Sequence, residues 1–247
     1  NFITINFFLC NYIFSAIYCS MKIEKITKAA KTLFNSRLKN IQLETLPNDC
    51  KPQNNEEGYK IQDALANLYL KQTNTKIIGK KIGCTNKAAQ QQINIDKPFY
   101  ANIFSKFSSQ TNCQLFRKEF INPYFEPEFS FKLKNEFDLI KAPFSMDQIY
   151  KFIESVIPSI EIVDSRFQDW TKAGISNIIA DNGANAFWIK GKEFKDLDNI
   201  NFNNHAVKVY INENLIETGN SKNVLNNPVN SITWLVNTLA KQNKNLP

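Results

Sequence analysis

Asn122-Pro123-Tyr124-Phe125-Glu126-Pro127-Glu128-Phe129-Ser130-Phe131 places two carboxylates two residues apart inside an alternating apolar run. On a strand, residues i and i+2 share a face, at a rise of about 3.3 Å per residue. Glu126 and Glu128 therefore converge, while Phe129, Phe131 and Leu133 pack on the opposite side. Two hard oxygen donors on one rigid face suit Mg²⁺ or Mn²⁺, as half of a divalent-metal site. The solvated face of a half-buried strand explains the same pair more plainly, so the choice turns on charged groups elsewhere in the chain.

A third carboxylate lies in Ser159-Ile160-Glu161-Ile162-Val163-Asp164-Ser165-Arg166, where the alternation predicts a strand with Glu161 and Val163 on one face and Ile160 and Ile162 on the other. Glu161 sits among apolar neighbours, and a buried carboxylate must be paired, protonated or bound to a metal. A salt bridge to Arg166 or to a lysine is the alternative. Upstream, Lys76–Thr85 reads as a short strand ending in a glycine-bounded turn, with Asn86 capping a helix through Gln92. A lysine at such a junction can reach into a cleft, although Lys80 and Lys81 also read as ordinary surface lysines.

Around these stretches, helical spacing runs from Lys22 to Asn40 (Ile23, Ile26, Ala29, Ala30, Leu33, Phe34) and from Tyr59 to Lys71, joined by a polar linker over 48–57. A helix over Asp147–Val156 is stopped by Pro158. Strand-like pieces follow at Ile175–Ala180, Ala186–Gly191 and Ala206–Ile211, then a turn at Asn212-Glu213-Asn214 and a last helix over Ser231–Ala240. The pattern predicts an α+β chain: a helical N-terminal part over 21–75, then a β-rich domain over 76–247 that carries the site. No G-x-G-x-x-G run supports nucleotide binding.

Composition narrows the function classes. The 247 residues are 43% hydrophobic and 13% aromatic, a globular balance. The net charge of +7 comes from scattered lysines, with Arg37, Arg117 and Arg166 the only arginines, so no basic stripe invites nucleic acid. Five cysteines without a Cys-x-x-Cys pair fit reduced cytosolic thiols. His205 is the single histidine, which disfavours a Ser/His or Cys/His hydrolase. Residues 1–20 carry no charge, yet Asn6 and Asn11 interrupt them and no basic segment precedes them. They read as an upstream extension or leader, with the working protein beginning at Met21, and not as a membrane span.

In order along the chain, Gly79-Lys80-Lys81-Ile82-Gly83-Cys84-Thr85-Asn86-Lys87-Ala88 with Gln90-Gln91-Gln92, Glu126-Pro127-Glu128, Pro158 to Arg166, Asp169-Trp170, Ala180-Asp181-Asn182, and Asn227-Pro228-Val229-Asn230 ahead of Trp234-Leu235 form a specific set. The set resembles the 2-keto-4-pentenoate hydratase branch of the fumarylacetoacetate hydrolase superfamily, which also holds 4-oxalocrotonate decarboxylases. The resemblance runs from about Lys22 to Leu239. It implies the mixed β-rich roll or barrel of that superfamily's C-terminal domain. It also implies one Mg²⁺ or Mn²⁺ on Glu126, Glu128 and Glu161, a catalytic Lys81, and substrate contacts from Lys81, Gly83, Arg166 and Asn182.

The implied reaction is hydration of a 2-hydroxy-2,4-dienoate to a 4-hydroxy-2-oxo acid through a metal-stabilised enolate. Decarboxylation or tautomerisation of a 2-oxo acid is the alternative, as is a silenced subunit bound to a family decarboxylase. A homo-oligomer in the cytoplasm is the expected state. The departures are specific: the family's Pro-Asp-Phe/Tyr-Gly is here Pro98-Phe99-Tyr100-Ala101, the small Ser-containing run after Ala-Asp-Asn is Gly183-Ala184-Asn185-Ala186, and Gly-His-Pro is Asn226-Asn227-Pro228. An apolar Phe99 in place of an acid points to a changed substrate.

Overall fold

The structure is a computed structural model that describes residues 21–134 and 137–247. The expected extension over residues 1–20 lies outside the described residues. The architecture is α+β, with seven α-helices and three sheets among the described residues. Helix α1 (Ile23–Lys39) buries the stripe Ile26, Ala29, Ala30, Leu33 and Phe34. It ends at Asn40, whose φ of 50° is the left-handed turn that asparagine tolerates at a helix terminus. Helix α2 (Asn55–Gln72) is capped by Asn54, whose side chain accepts from Glu57 N at 3.0 Å. Leu33, Phe34, Ile61, Leu65 and Tyr69 form one core with Phe104, Phe167 and Ala180 from later in the chain.

Strand β1 (Ile77–Gly83) leads through helix α3 (Lys87–Gln92), capped by Asn86, to strand β2 (Phe99–Phe104), with which it pairs antiparallel. Strand β3 (Ser108–Gln110) is short, and strand β4 (Tyr124–Leu133) follows. Helix α4 (Met146–Phe152) runs directly into strand β5 (Ile153–Val163). Helices α5 (Trp170–Ala173) and α6 (Ile175–Ala180) precede strand β6 (Asn185–Lys190). The four-stranded sheet has the order β3-β6-β5-β4, antiparallel except for β3 beside β6. A separate hairpin, β7 (Ala206–Ile211) and β8 (Asn214–Asn220), and helix α7 (Pro228–Lys241) complete the chain. Val229, Ile232 and Val236 of α7 pack with Ile149, Ile153 and Val156 in a second core.

Two expectations are corrected. Ile175–Ala180 is helix α6, not a strand: Ile178 N donates to Gly174 O at 3.2 Å and the apolar run packs on α2. Four consecutive residues, Asn177 to Ala180, are buried, and a short apolar run of that kind fits a buried helix or a strand equally well. The approach is close enough that a Cβ on Gly58 of α2 would stand 2.5 Å from Ser176 O.

The helix expected over Asp147–Val156 stops at Phe152, and Pro158 lies inside β5 instead of ending a helix. Gly191 N donates to Pro158 O at 2.9 Å, so Pro158 turns its donorless nitrogen towards a point just past the end of β6 and costs no ladder bond to β4. By the same alternation Ile160 faces β6, and Pro127, directly opposite it, turns its own donorless nitrogen to the outer edge of β4.

Candidate metal centre

Strand register supplies what spacing alone could not. Glu126 of β4 lies directly opposite Glu161 of β5, and Glu128 lies opposite Ser159. Opposed residues of an antiparallel pair share a face, so all three glutamates project together, and each offers an oxygen within 4.8 Å of the others. The start of β4 is pinned by Asp164, whose two carboxylate oxygens accept from Ile121 N at 2.8 Å and Asn122 N at 2.6 Å.

Lys81 of β1 reaches this cluster from the neighbouring sheet. Its Nζ lies 2.8 Å from Glu161 Oε1 and donates to Gly183 O at 3.2 Å. Asn185 Nδ2 donates to the same Glu161 oxygen at 2.8 Å. Lys81 is only 10% exposed and Glu161 4%. Burial works against the charge on Lys81, but Glu161, Glu126 and Glu128 outweigh it and raise the pKa. Burial raises Glu161, with Lys81 opposing and Glu126 adding to the rise. Burial, then Glu161 and Glu126, push the Glu128 carboxyl up to about 8. One ammonium thus faces three carboxyl groups, a deficit of positive charge that adds to burial in lifting Glu128.

A hard divalent cation fits this set: the donors are all carboxylate oxygens, they converge from two rigid strands, and the deficit is one that a doubly charged ion offsets. Two cavities meet at the cluster. One, of about 760 Å³, is lined by Lys81, Gly83, Phe99, Glu126, Trp170 and Gly183 among others. The second, of about 660 Å³, shares Lys81 and Glu128 with the first and extends past Glu161 and Trp188 to Lys80 and Leu246. Both have the size of small-molecule sites.

Phe99 forms a wall of the first cavity. The ring is 5% exposed and packs with Ile93, Ile178 and Ile179. A Cβ on Gly83 would meet it at 2.3 Å, and one on Gly183 at 2.8 Å, so both glycines exist here to admit the ring. Beside it, burial pushes the Cys84 thiol up to about 11, which keeps it neutral and a poor nucleophile.

The structure therefore brings together Lys81, Gly83, Glu126, Glu128 and Glu161. It does not bring Arg166 or Asn182 to either cavity. Arg166 is buried against Asp181, with Nε 2.5 Å from Oδ1 and Nη2 donating to the Asp181 carbonyl at 2.6 Å. Asn182 spends its side chain on the backbone of Asn102, accepting from its N–H and donating to its carbonyl, both at 2.9 Å. Sequence reading missed Asn185 as a partner of Glu161. Its contact depends on a register shift between β5 and β6 beside Val163, for which the sequence carries no signal.

No protein-family model matches the chain. A 2-hydroxypent-2,4-dienoate hydratase from Pseudomonas putida is 32% identical over 166 residues, 67% of this chain and 73% of that protein. A 4-oxalocrotonate decarboxylase from Pseudomonas putida is 25% identical over 224 residues, 91% of this chain and 83% of that protein. Among solved structures, a 4-oxalocrotonate decarboxylase from Pseudomonas putida G7, complexed with magnesium and adipate, superposes with a TM-score of 0.84. That match has 24% identity and covers 92% of this chain and 84% of the other.

Proposed function

Because the chain belongs to the hydratase and decarboxylase branch of the fumarylacetoacetate hydrolase superfamily, we propose that it is a metal-dependent lyase. On this reading it hydrates a 2-hydroxy-2,4-dienoate to a 4-hydroxy-2-oxo acid, with Mg²⁺ or Mn²⁺ held by Glu126, Glu128 and Glu161. The observation that carries the reading is the convergence of three glutamate oxygens within 4.8 Å, with Lys81 2.8 Å from one of them. Bound there, the cation supplies a Lewis acid for negative charge developing at the substrate's C2 oxygen.

The chain's own residues divide the remaining work. Lys81 keeps its proton at neutral pH because Glu161 and then Glu126 favour the ammonium against the cost of burial, so it enters the reaction as a donor and an anchor for an anionic substrate, not as a base. Gly183 O and Glu161 fix its Nζ from two sides. The wall formed by Phe99, with Ile93 and Trp170 beside it, keeps bulk water from the apolar end of the substrate. Phe99 favours a second reading, decarboxylation of a 2-oxo acid, since that reaction needs charge uptake at C2 and no activated water.

The same reading places the β-rich part over 76–247 in the superfamily's roll, after a helical part over 21–75. It also places the protein in the cytoplasm as a homo-oligomer, alone or with a family decarboxylase. No helix among the described residues is long and apolar enough to cross a membrane, and Tyr210, Ile211, Leu215 and Ile216 of the β7-β8 hairpin expose apolar surface suited to a subunit contact.

Calorimetric titration of the protein with Mg²⁺ and Mn²⁺, with and without oxalate, tests the centre. Binding that oxalate tightens and Glu126→Gln removes is the expected result. Absence of metal binding would overturn the reading and leave a non-catalytic subunit in its place. Carbon dioxide release on turnover would select the decarboxylase.

A further inference from the structure

The hydrogen bond from Asn185 to Glu161 is not one that plain alternation along β6 would make. Trp188 lies opposite Glu161 and Phe187 opposite Ile162, so Trp188 shares the face of Glu161 and Phe187 does not. Two residues back from Trp188, Ala186 would share that face, and Asn185 would turn to the other. A bulge reverses this. Val163 pairs with Asn185 instead of Ala186, and Val163 lies two residues from Glu161, on its face. The one extra residue on β6 thus carries the Asn185 side chain to the glutamate cluster, where Nδ2 donates to Glu161 Oε1 at 2.8 Å. Lys81 Nζ stands 2.8 Å from the same oxygen. Two donors on one oxygen fix the tilt of that carboxylate.

A bulge takes main-chain groups out of the ladder, and something must hold them. Arg37 of α1 does so. Its Nη1 donates to the Asn185 carbonyl at 2.7 Å and its Nη2 to the Ala186 carbonyl, so the planar fork of one guanidinium spans both residues of the bulge. The guanidinium carbon lies 4.2 Å from the centre of the Phe107 ring, which covers it. Arg37 comes from the helical part of the chain, 148 residues before Asn185, and lines neither cavity.

We propose that Arg37 is a positioning residue for the metal centre: by holding both carbonyls of the bulge it aims Asn185 at Glu161, and so sets the geometry in which that carboxylate meets a cation. The inference rests on the metal-centre reading above. A through-space effect of the arginine's charge has the opposite sign, because a nearby cation repels Mg²⁺ and its removal would tighten metal binding. Loss of positioning weakens it.

The test is calorimetric titration of the full chain with Mg²⁺, comparing wild type with Arg37→Met, Arg37→Lys and Asn185→Ala, each shown to be folded by a cooperative thermal transition. Arg37→Lys keeps the charge and reaches one carbonyl, so it carries the test where the methionine variant fails to fold. Arg37→Met and Asn185→Ala should each weaken Mg²⁺ binding by about tenfold or more, the scale on which the hydrogen-bond partners of metal ligands act, and Arg37→Lys by less. In the Asn185→Ala background the Arg37 substitutions should weaken binding no further, because the arginine acts through that side chain. A purely structural arginine would lower the thermal midpoint and leave the affinity of the folded protein alone. Wild-type or tighter binding in the Arg37 variants or in Asn185→Ala, or losses that multiply when the two are combined, would overturn the positioning role alone. Failure of the wild type to bind Mg²⁺ would overturn the metal centre, and this role with it.

Discussion

Glu126 and Glu161 stand directly opposite each other on β4 and β5, a cross-strand pair of like charges that a sheet built only for stability would avoid. Such a pair costs roughly 0.2–1 kcal/mol. Glu126→Gln should therefore raise the stability of the metal-free protein by about that amount, while abolishing the extra thermal stability that added Mg²⁺ provides. Thermal unfolding of wild type and variant, with and without the ion, reads both effects. A variant that is destabilised without metal, or still stabilised by it, contradicts this account.

The second prediction concerns pH. In the metal-free protein Glu128 is raised to about 8 from an ordinary carboxylate value, so at pH 7 it carries a proton that a cation must displace. Metal affinity should climb as pH rises from 6 towards 8, by up to tenfold per unit for one displaced proton, and flatten above. The same group makes the metal-free protein lose stability as pH rises between the unfolded and folded values, because the folded state binds more protons there. Titrations in buffers of different ionisation enthalpy count the protons released. No release at pH 7 would mean that Glu128 is ionised before the metal arrives.

Removing the lysine has the opposite sign from removing Glu126. Lys81→Met leaves Glu161 buried without its ammonium, and breaking such a pair costs about 3–5 kcal/mol. Millimolar Mg²⁺ should restore part of that loss, since the ion faces the same carboxylates. Urea denaturation with and without the ion separates the two terms, and an unchanged midpoint without metal would show that the 2.8 Å contact contributes nothing.

Gly83→Ala tests the Phe99 wall. The added methyl falls 2.3 Å from the ring, so the ring must move or the strand must shift, at a cost of about 1–3 kcal/mol. Phe99→Leu in the same protein should recover part of the loss, giving a favourable coupling in a double-mutant cycle. Additive effects would place the strain elsewhere.

Much of the site was legible because its elements obey short-range rules. The alternation around Glu126 and Glu128 has period two and sits on β4, and Asn86 caps α3 through Ala89 N at 2.8 Å. What was not legible depends on tertiary position. Ile175–Ala180 became a helix because α2 needed a partner for its buried face, and nothing in six residues announces that. Pro158 reads as a stop signal, yet at the end of β6 its lack of a donor is harmless. Arg166 and Asn182 sit in runs that resemble a substrate site, but Asp181 and the Asn102 backbone claim their hydrogen bonds. Charge type was visible from the sequence; which partner would take it was not.

Pro127 sits between two of the cluster's glutamates on the outermost strand of its sheet. Such an edge ordinarily offers a row of free amides to any passing extended segment. The proline puts a gap in that row beside Glu126 and Glu128, which weakens the pairing of a second chain along β4. The strand that gathers charge is thereby a poorer template for polymerisation along that stretch.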